Sequence, residues 1–138
     1  MPVSKPVPEA LNTLITVQPL FSSLPQNARE QLILDSTLIR FSAGERLIEE
    51  DKKNNFLYLI LKGKATAMMN GTAAGYLEAG DVAGEISAIG ISPPIASIIA
   101  ETELETVAFP AESIVQASQS YAEFASLLRK AAFKRVSS

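Results

Sequence analysis

From Leu38 onward the sequence is cut into short apolar runs by Gly, Asn and Asp, and this rhythm constrains the fold more than any other feature. The runs are TLIRF, RLIEE, FLYLILKG, KATAMM, AAGYLE, PIASIIAE and LETVAF, all rich in aliphatic or aromatic residues. Segments so short and so regularly punctuated read as antiparallel strands, and their number suits a sandwich or barrel. Asn70-Gly71 is the sharpest local signal, because a two-residue type I′ turn needs positive φ at both positions and Asn-Gly supplies it. A hairpin is expected there.

Helices flank this region. After a Pro-rich arm, PEALNTLITV and LPQNAREQLILDS read as helical, with Pro25 suited to an early helical position and Leu32, Ile33 and Ser36 following at helical spacing. Pro110 ends the last strand, and AESIVQASQ and YAEFASLLRKAAFKRV read as two further helices. In the second, Tyr121, Phe124, Ala125, Leu128 and Ala132 make one apolar face. That stripe either pairs with a second copy, giving a homodimer through the C-terminal helix, or covers the chain's own strands. Arg129, Lys130, Lys134 and Arg135 lie near the end of the helix, where cations favour its dipole.

The expected fold is therefore mainly β with flanking helices: a double-stranded β-helix, or jelly-roll-like β-roll, with N-terminal helices and two C-terminal helices. Residues 1–37 form the N-terminal helices, 38–110 the roll and 111–138 the C-terminal helices of one domain. A chain of 138 residues suits one domain and buries roughly 68% of its unfolded surface, enough for a core.

Composition removes several functions. The formal charge is −3, and Lys and Arg gather only in the last ten residues, so no nucleic-acid footprint is expected. MPVSKPVPEA has no apolar signal region and FLYLIL is too short to span a bilayer, which points to a cytoplasmic chain that does not enter the membrane. Without cysteine there is no thiol nucleophile or thiolate metal site. Without histidine the usual general base and transition-metal ligand are missing too. The densest acidic run, Glu49-Glu50-Asp51, alternates faces on a strand and reads as a solvated turn. No nucleophile-base pair, metal spacing or Lys-bearing Gly-rich loop appears, so the chain reads as non-enzymatic, with no cofactor.

FSAGERLIEEDKKNNFLYLILKG, with Gly44-Glu45, Tyr58-Leu59-Ile60 and Gly63, followed by GYLEAGDVAGEIS, with Gly80-Asp81 and Gly84-Glu85, resembles the cyclic-nucleotide-binding domains of the catabolite activator protein and protein kinase A regulatory-subunit type. The likeness runs from about Leu20 to Arg135. Asp51 stands where the family has glycine, and Asp tolerates the left-handed region. Gly63 and Gly80 are also explained simply as turn glycines at strand ends.

The resemblance implies that Gly84, Glu85, Ile86 and Ser87 begin a phosphate-binding cassette. Its helix-start amides attract the anion, Gly84 admits the sugar-phosphate, and Glu85 accepts the ribose hydroxyl. Tyr76 and Leu77 are weaker wall candidates. The family then has Pro-Arg-Ala/Ser, whose Arg pairs with the cyclic phosphate; here Ser92-Pro93-Pro94-Ile95-Ala96 puts Pro94 at the arginine position and Ile95 at the small-residue position. The nearest basic residues in sequence are Lys62 and Lys64.

Three readings follow. The cassette amides and Glu85 still take cAMP or cGMP at reduced affinity; or the pocket takes a less anionic, more apolar molecule, with Ile86, Ile89, Ile91 and Ile95 lining it or packing in the core; or the domain has become an interaction or dimerisation module without a small-molecule ligand. In each, any signal passes to a separate effector protein or through self-association, or the chain is a piece of a longer protein.

Overall fold

The computed structural model describes residues 3–6, 15, 18–49, 54–84 and 97–137. Strand β1 (Val3–Pro6) is followed by the short helix α1 (Pro19–Ser22) and by α2 (Gln26–Asp35). Strands β2 (Thr37–Phe41), β3 (Arg46–Ile48), β4 (Phe56–Lys62), β5 (Ala65–Met69), β6 (Thr72–Leu77), β7 (Val82–Ala83), β8 (Ser97–Ala100) and β9 (Leu104–Pro110) follow, and then helices α3 (Ala111–Ser120) and α4 (Ala122–Ser137).

The strands form a five-stranded sheet in the order β1-β2-β9-β4-β7 and a four-stranded sheet in the order β3-β8-β5-β6, with antiparallel pairing throughout. The chain crosses repeatedly between the two sheets, which is the jelly-roll-like β-roll expected from the sequence. Asn70 and Gly71 both have positive φ, 52° and 79°, and set Met69 opposite Thr72, so the two-residue hairpin forms as expected.

Strand alternation sorts β4 and β9 between two cores. Leu57, Leu59, Val107 and Phe109 point to the helices, joining Phe21, Leu32, Ile114, Phe124 and Leu128. The Phe21 ring stacks on Phe109 at 4.7 Å and lies 6.2 Å from Phe124, so one aromatic cluster binds α1, β9 and α4. Tyr58, Ile60, Leu104 and Ala108 point inward, meeting Phe41, Ile48, Ala65, Ala67, Leu77, Ala83, Ile98 and Ala100 between the sheets.

The start of the chain departs from expectation. Val3–Pro6 is not an arm leading into helices: it pairs with β2, Val3 opposite Arg40 and Pro6 opposite Thr37. Proline is tolerated there because an edge strand can lack one ladder N–H. Of PEALNTLITV only Ile15 is described; it is helical and buried in the outer core. Pro25 precedes α2 as its N-cap, one position before the helix proper, and Tyr121 is extended (φ −130°) between α3 and α4.

Candidate functional site

The roll is described up to Gly84 and again from Ser97. Glu85, Ile86, Ser87, Pro94, Ile95 and Ala96, with Ile89 and Ile91, lie outside the described residues. What is described is the frame at both ends of that segment.

The Gly80-Asp81 turn is fastened on several sides. Gly80 N–H donates to the Ile60 carbonyl at 2.8 Å and Ile60 N–H to the Asp81 carbonyl at 2.9 Å, which ties the turn to β4. The Asp81 carboxylate accepts from Glu78 N–H at 2.9 Å, so this acid shapes the turn. From the N-terminal side, Gln18 Nε2 donates to the Gly80 carbonyl at 3.3 Å while Gln18 Oε1 caps α1 by accepting from Leu20 N–H at 2.7 Å.

Gly84 has φ +95°, and a Cβ placed on it would lie 2.5 Å from Asn54 Nδ2 and 2.5 Å from the Phe56 carbonyl oxygen. Asn54 is itself buried and clamps the start of β4, with Nδ2 donating to Phe56 O at 2.5 Å and Oδ1 accepting from Phe56 N–H at 3.2 Å. The fold alone therefore requires a glycine at this position, whatever the following residues hold. Next to it in the chain, Asn55 O accepts from Ala111 N–H at 2.8 Å, connecting the same corner to the first turn of α3.

Tyr76 and Leu77 separate by strand parity. Leu77 is 1% exposed and faces the interior, whereas Tyr76 is 71% exposed and turned to solvent. Only Leu77 lies where a wall of the roll interior could be.

The positive charges also sort by side. Lys62 and Lys64 are exposed, and Arg40 is engaged with Glu105 at 2.8 Å and Glu103 at 3.4 Å on the outer surface. Arg46 approaches the returning segment, with Nη1 donating to Ser97 Oγ at 3.3 Å. Arg46 is paired with Ile99, and Ser97 and Ile99 alternate with the inward Ile98 and Ala100, so this contact is on the outer face. Among the residues whose side chains are described, no Lys or Arg is buried.

One inward polar group was not singled out from the sequence. Tyr58 lies on the inner face of β4 at 5% exposure, with Phe41 edge-on at 5.8 Å and Phe56 tilted at 5.8 Å. Burial pushes its phenol up to about 12. The signal was available in FLYLILKG, where Tyr58 shares the parity of Ile60 and opposes that of Leu57 and Leu59.

The apolar stripe of the last helix is engaged at home. Phe124 and Leu128 are 0% exposed and Ala125 is buried, while half-buried Tyr121 packs against the same core; the Ala132 side chain lies outside the described residues. The described part of this stripe is thus buried in the chain's own outer core, against α1 and α3. Among the described residues there is no group of His, Cys, Asp and Glu able to hold a metal ion, and no helix is long and apolar enough to cross a membrane.

Residues 38–121 match the family model described as the cyclic nucleotide-binding domain. The cAMP-dependent protein kinase regulatory subunit of Emericella nidulans is 34% identical over 89 residues, which cover 63% of this chain and 22% of that protein, so the chain spans about a fifth of this relative's length. Among solved structures, the regulatory subunit of a cAMP-independent protein kinase A from Trypanosoma brucei is similar at 22% identity and a TM-score of 0.70, covering 75% of this chain and 40% of that one. That structure is a triple mutant bound to cAMP, with Thr changed to Arg and the adjacent Val to Ala among its substitutions. The sensor domain of the transcriptional regulator DNR from Pseudomonas aeruginosa is similar at 16% identity and a TM-score of 0.77, covering 89% of this chain and 91% of that one.

Proposed function

The chain belongs to the cyclic nucleotide-binding domain family, and within it we propose that it is a non-enzymatic regulatory domain whose roll takes a small molecule other than a tightly held cyclic nucleotide. The observation that carries this reading is the distribution of charge: Pro94 and Ile95 match the positions of the family's Arg and small residue, and no described Lys or Arg is buried to compensate. A charge-assisted hydrogen bond contributes about 1.5–3 kcal/mol, which is roughly one to two decades of affinity. A phosphate desolvated beside Glu85 without that partner is penalised further.

The Trypanosoma brucei protein supports the same logic, since its cAMP-bound form carries an introduced Arg-Ala pair. Gly84, Glu85, Ile86 and Ser87 remain the candidate cassette positions, with Leu77 a wall candidate and Pro94, Ile95 and Ala96 in the stretch that matches the family's Pro-Arg-Ala/Ser. The regulatory subunits it resembles suggest the mode of action: a ligand-dependent domain that signals to a separate effector protein, in the cytoplasm. Dimerisation through the α4 stripe draws no support from Phe124 and Leu128, which have no exposed surface to offer.

Calorimetric titration with cAMP and cGMP at low salt tests the reading. No saturable heat is expected below roughly millimolar nucleotide. Micromolar binding that is abolished by Glu85→Ala would overturn it and return the chain to the ordinary cyclic-nucleotide sensors.

A further inference from the structure

Among the described residues, one polar side chain of the roll interior makes no hydrogen bond within the fold. Every other buried hydroxyl or amide side chain among the described residues has a partner: Ser36 donates to Ile33 O, Thr66 to Glu101, and Thr106 to Ile39 O, while Asn54 holds Phe56 and Ser97 receives Arg46. The Tyr58 hydroxyl, on an equally buried side chain, makes no hydrogen bond among the described residues. Buried tyrosine hydroxyls ordinarily find one, because an unsatisfied polar group in an apolar interior is destabilising.

The surroundings specify what would satisfy it. On both neighbouring strands the residue paired with Tyr58 is alanine, Ala83 on β7 and Ala108 on β9, and Ala83 leads directly into Gly84. The rest of the described inner face is hydrocarbon or aromatic, Phe41, Ile48, Ile60, Leu77, Ile98 and Leu104 among others, apart from Thr106, whose hydroxyl is already committed to Ile39 O. With the described cations all outside, this face offers an anion no compensating charge.

We propose that the Tyr58 hydroxyl is the hydrogen-bond donor that selects the ligand of the roll, and that this ligand is an uncharged, largely apolar molecule carrying a carbonyl or similar acceptor. The inference rests on the reading of the roll as a small-molecule site. Because burial holds the phenol protonated up to about pH 12, the group is a donor under all ordinary conditions.

Acetophenone and α-methylstyrene form a matched pair of probes, nearly identical in shape, of which only the first has an acceptor. Binding of each to the native protein and to Tyr58→Phe is followed by NMR titration, beside thermal melting of both proteins. Tyr58→Phe is expected to weaken acetophenone about threefold to tenfold, the range of a single neutral hydrogen bond, and to leave α-methylstyrene unchanged. Its melting temperature is expected to be equal or higher, since no internal partner is lost.

If both probes bind but the variant weakens neither, or both alike, the roll is a ligand site and the role of Tyr58 is overturned. If neither probe binds the native protein, the small-molecule reading falls as well. A melting temperature several degrees lower would mean that the hydroxyl already serves the fold, which also overturns the proposal.

Discussion

Replacing Gly84 by alanine separates two reasons for a glycine that the sequence motif leaves entangled. Gly80 and Gly84 share φ +95°, so in each an alanine bears a backbone cost of about 1–2 kcal/mol for a conformation that L-residues avoid. Around Gly80 nothing lies within 4 Å of the added methyl, so that cost is the whole effect. At Gly84 the methyl would meet Asn54 Nδ2 and the Phe56 carbonyl at 2.5 Å, well inside the 3.4 Å at which ordinary contact begins. One of these groups is main chain in a core strand and the other is buried and doubly bonded to it, so neither yields cheaply. Overpacking of this kind adds about 1–3 kcal/mol. Gly84→Ala is therefore expected to lose about 2–5 kcal/mol and Gly80→Ala about 1–2 kcal/mol. Urea unfolding followed by far-UV circular dichroism reads the difference as a midpoint lower by roughly 1 M for Gly84→Ala at unchanged slope. Equal midpoints for the two variants would refute the close approach of Gly84 to β4 and leave ligand access as the reason for the glycine.

Phe124→Ala should cost about 3–5 kcal/mol, because it removes a fully buried ring beside Phe21, and should appear as a loss of melting temperature independent of protein concentration. A concentration-dependent loss would point to pairing of copies. Asn54→Ala should destabilise by about 1–3 kcal/mol, since it leaves Phe56 N–H without its side-chain partner at a buried corner; chemical denaturation measures it. The phenol of Tyr58 is raised from 10.0 to about 12. The unfolded chain thus loses this proton first, so the contribution is intact below pH 10 and falls away as pH rises toward about 12, by about 2–3 kcal/mol. Alkaline unfolding should shift to higher pH in Tyr58→Phe, and an unchanged midpoint would contradict burial of the hydroxyl.

Much of this fold can be read from the chain because its strands obey period two. In FLYLILKG the alternation already assigns Leu57 and Leu59 to one core and Tyr58 and Ile60 to the other, and Asn70-Gly71 fixes the register of β5 on β6 through its backbone preference alone. What escaped reading lacks local character. Val3–Pro6 is strand only because β2 offers an edge to pair with, and its proline argues against a strand until that edge is known. Val82–Ala83 is two residues long, too short for any periodicity.

The site divides along the same line. The spacing of Gly80-Asp81 and Gly84-Glu85 is visible in the sequence, but their neighbours are distant in it: Asn54 and Phe56 against Gly84, Ile60 and Gln18 on the Gly80-Asp81 turn. Likewise Arg46 is far from Ser97 in sequence, yet the fold brings the two together on the outer face of the sheet.

The central claim is that the roll is kept while its capacity to hold a cyclic phosphate is lost at Pro94-Ile95. Titrating cAMP into the native protein and into the Pro94→Arg/Ile95→Ala double variant, under identical low-salt conditions, tests it most directly. The variant should bind at least about tenfold more tightly than the native chain, as restoring one charge-assisted contact requires. Native binding as tight as the variant's would contradict the claim.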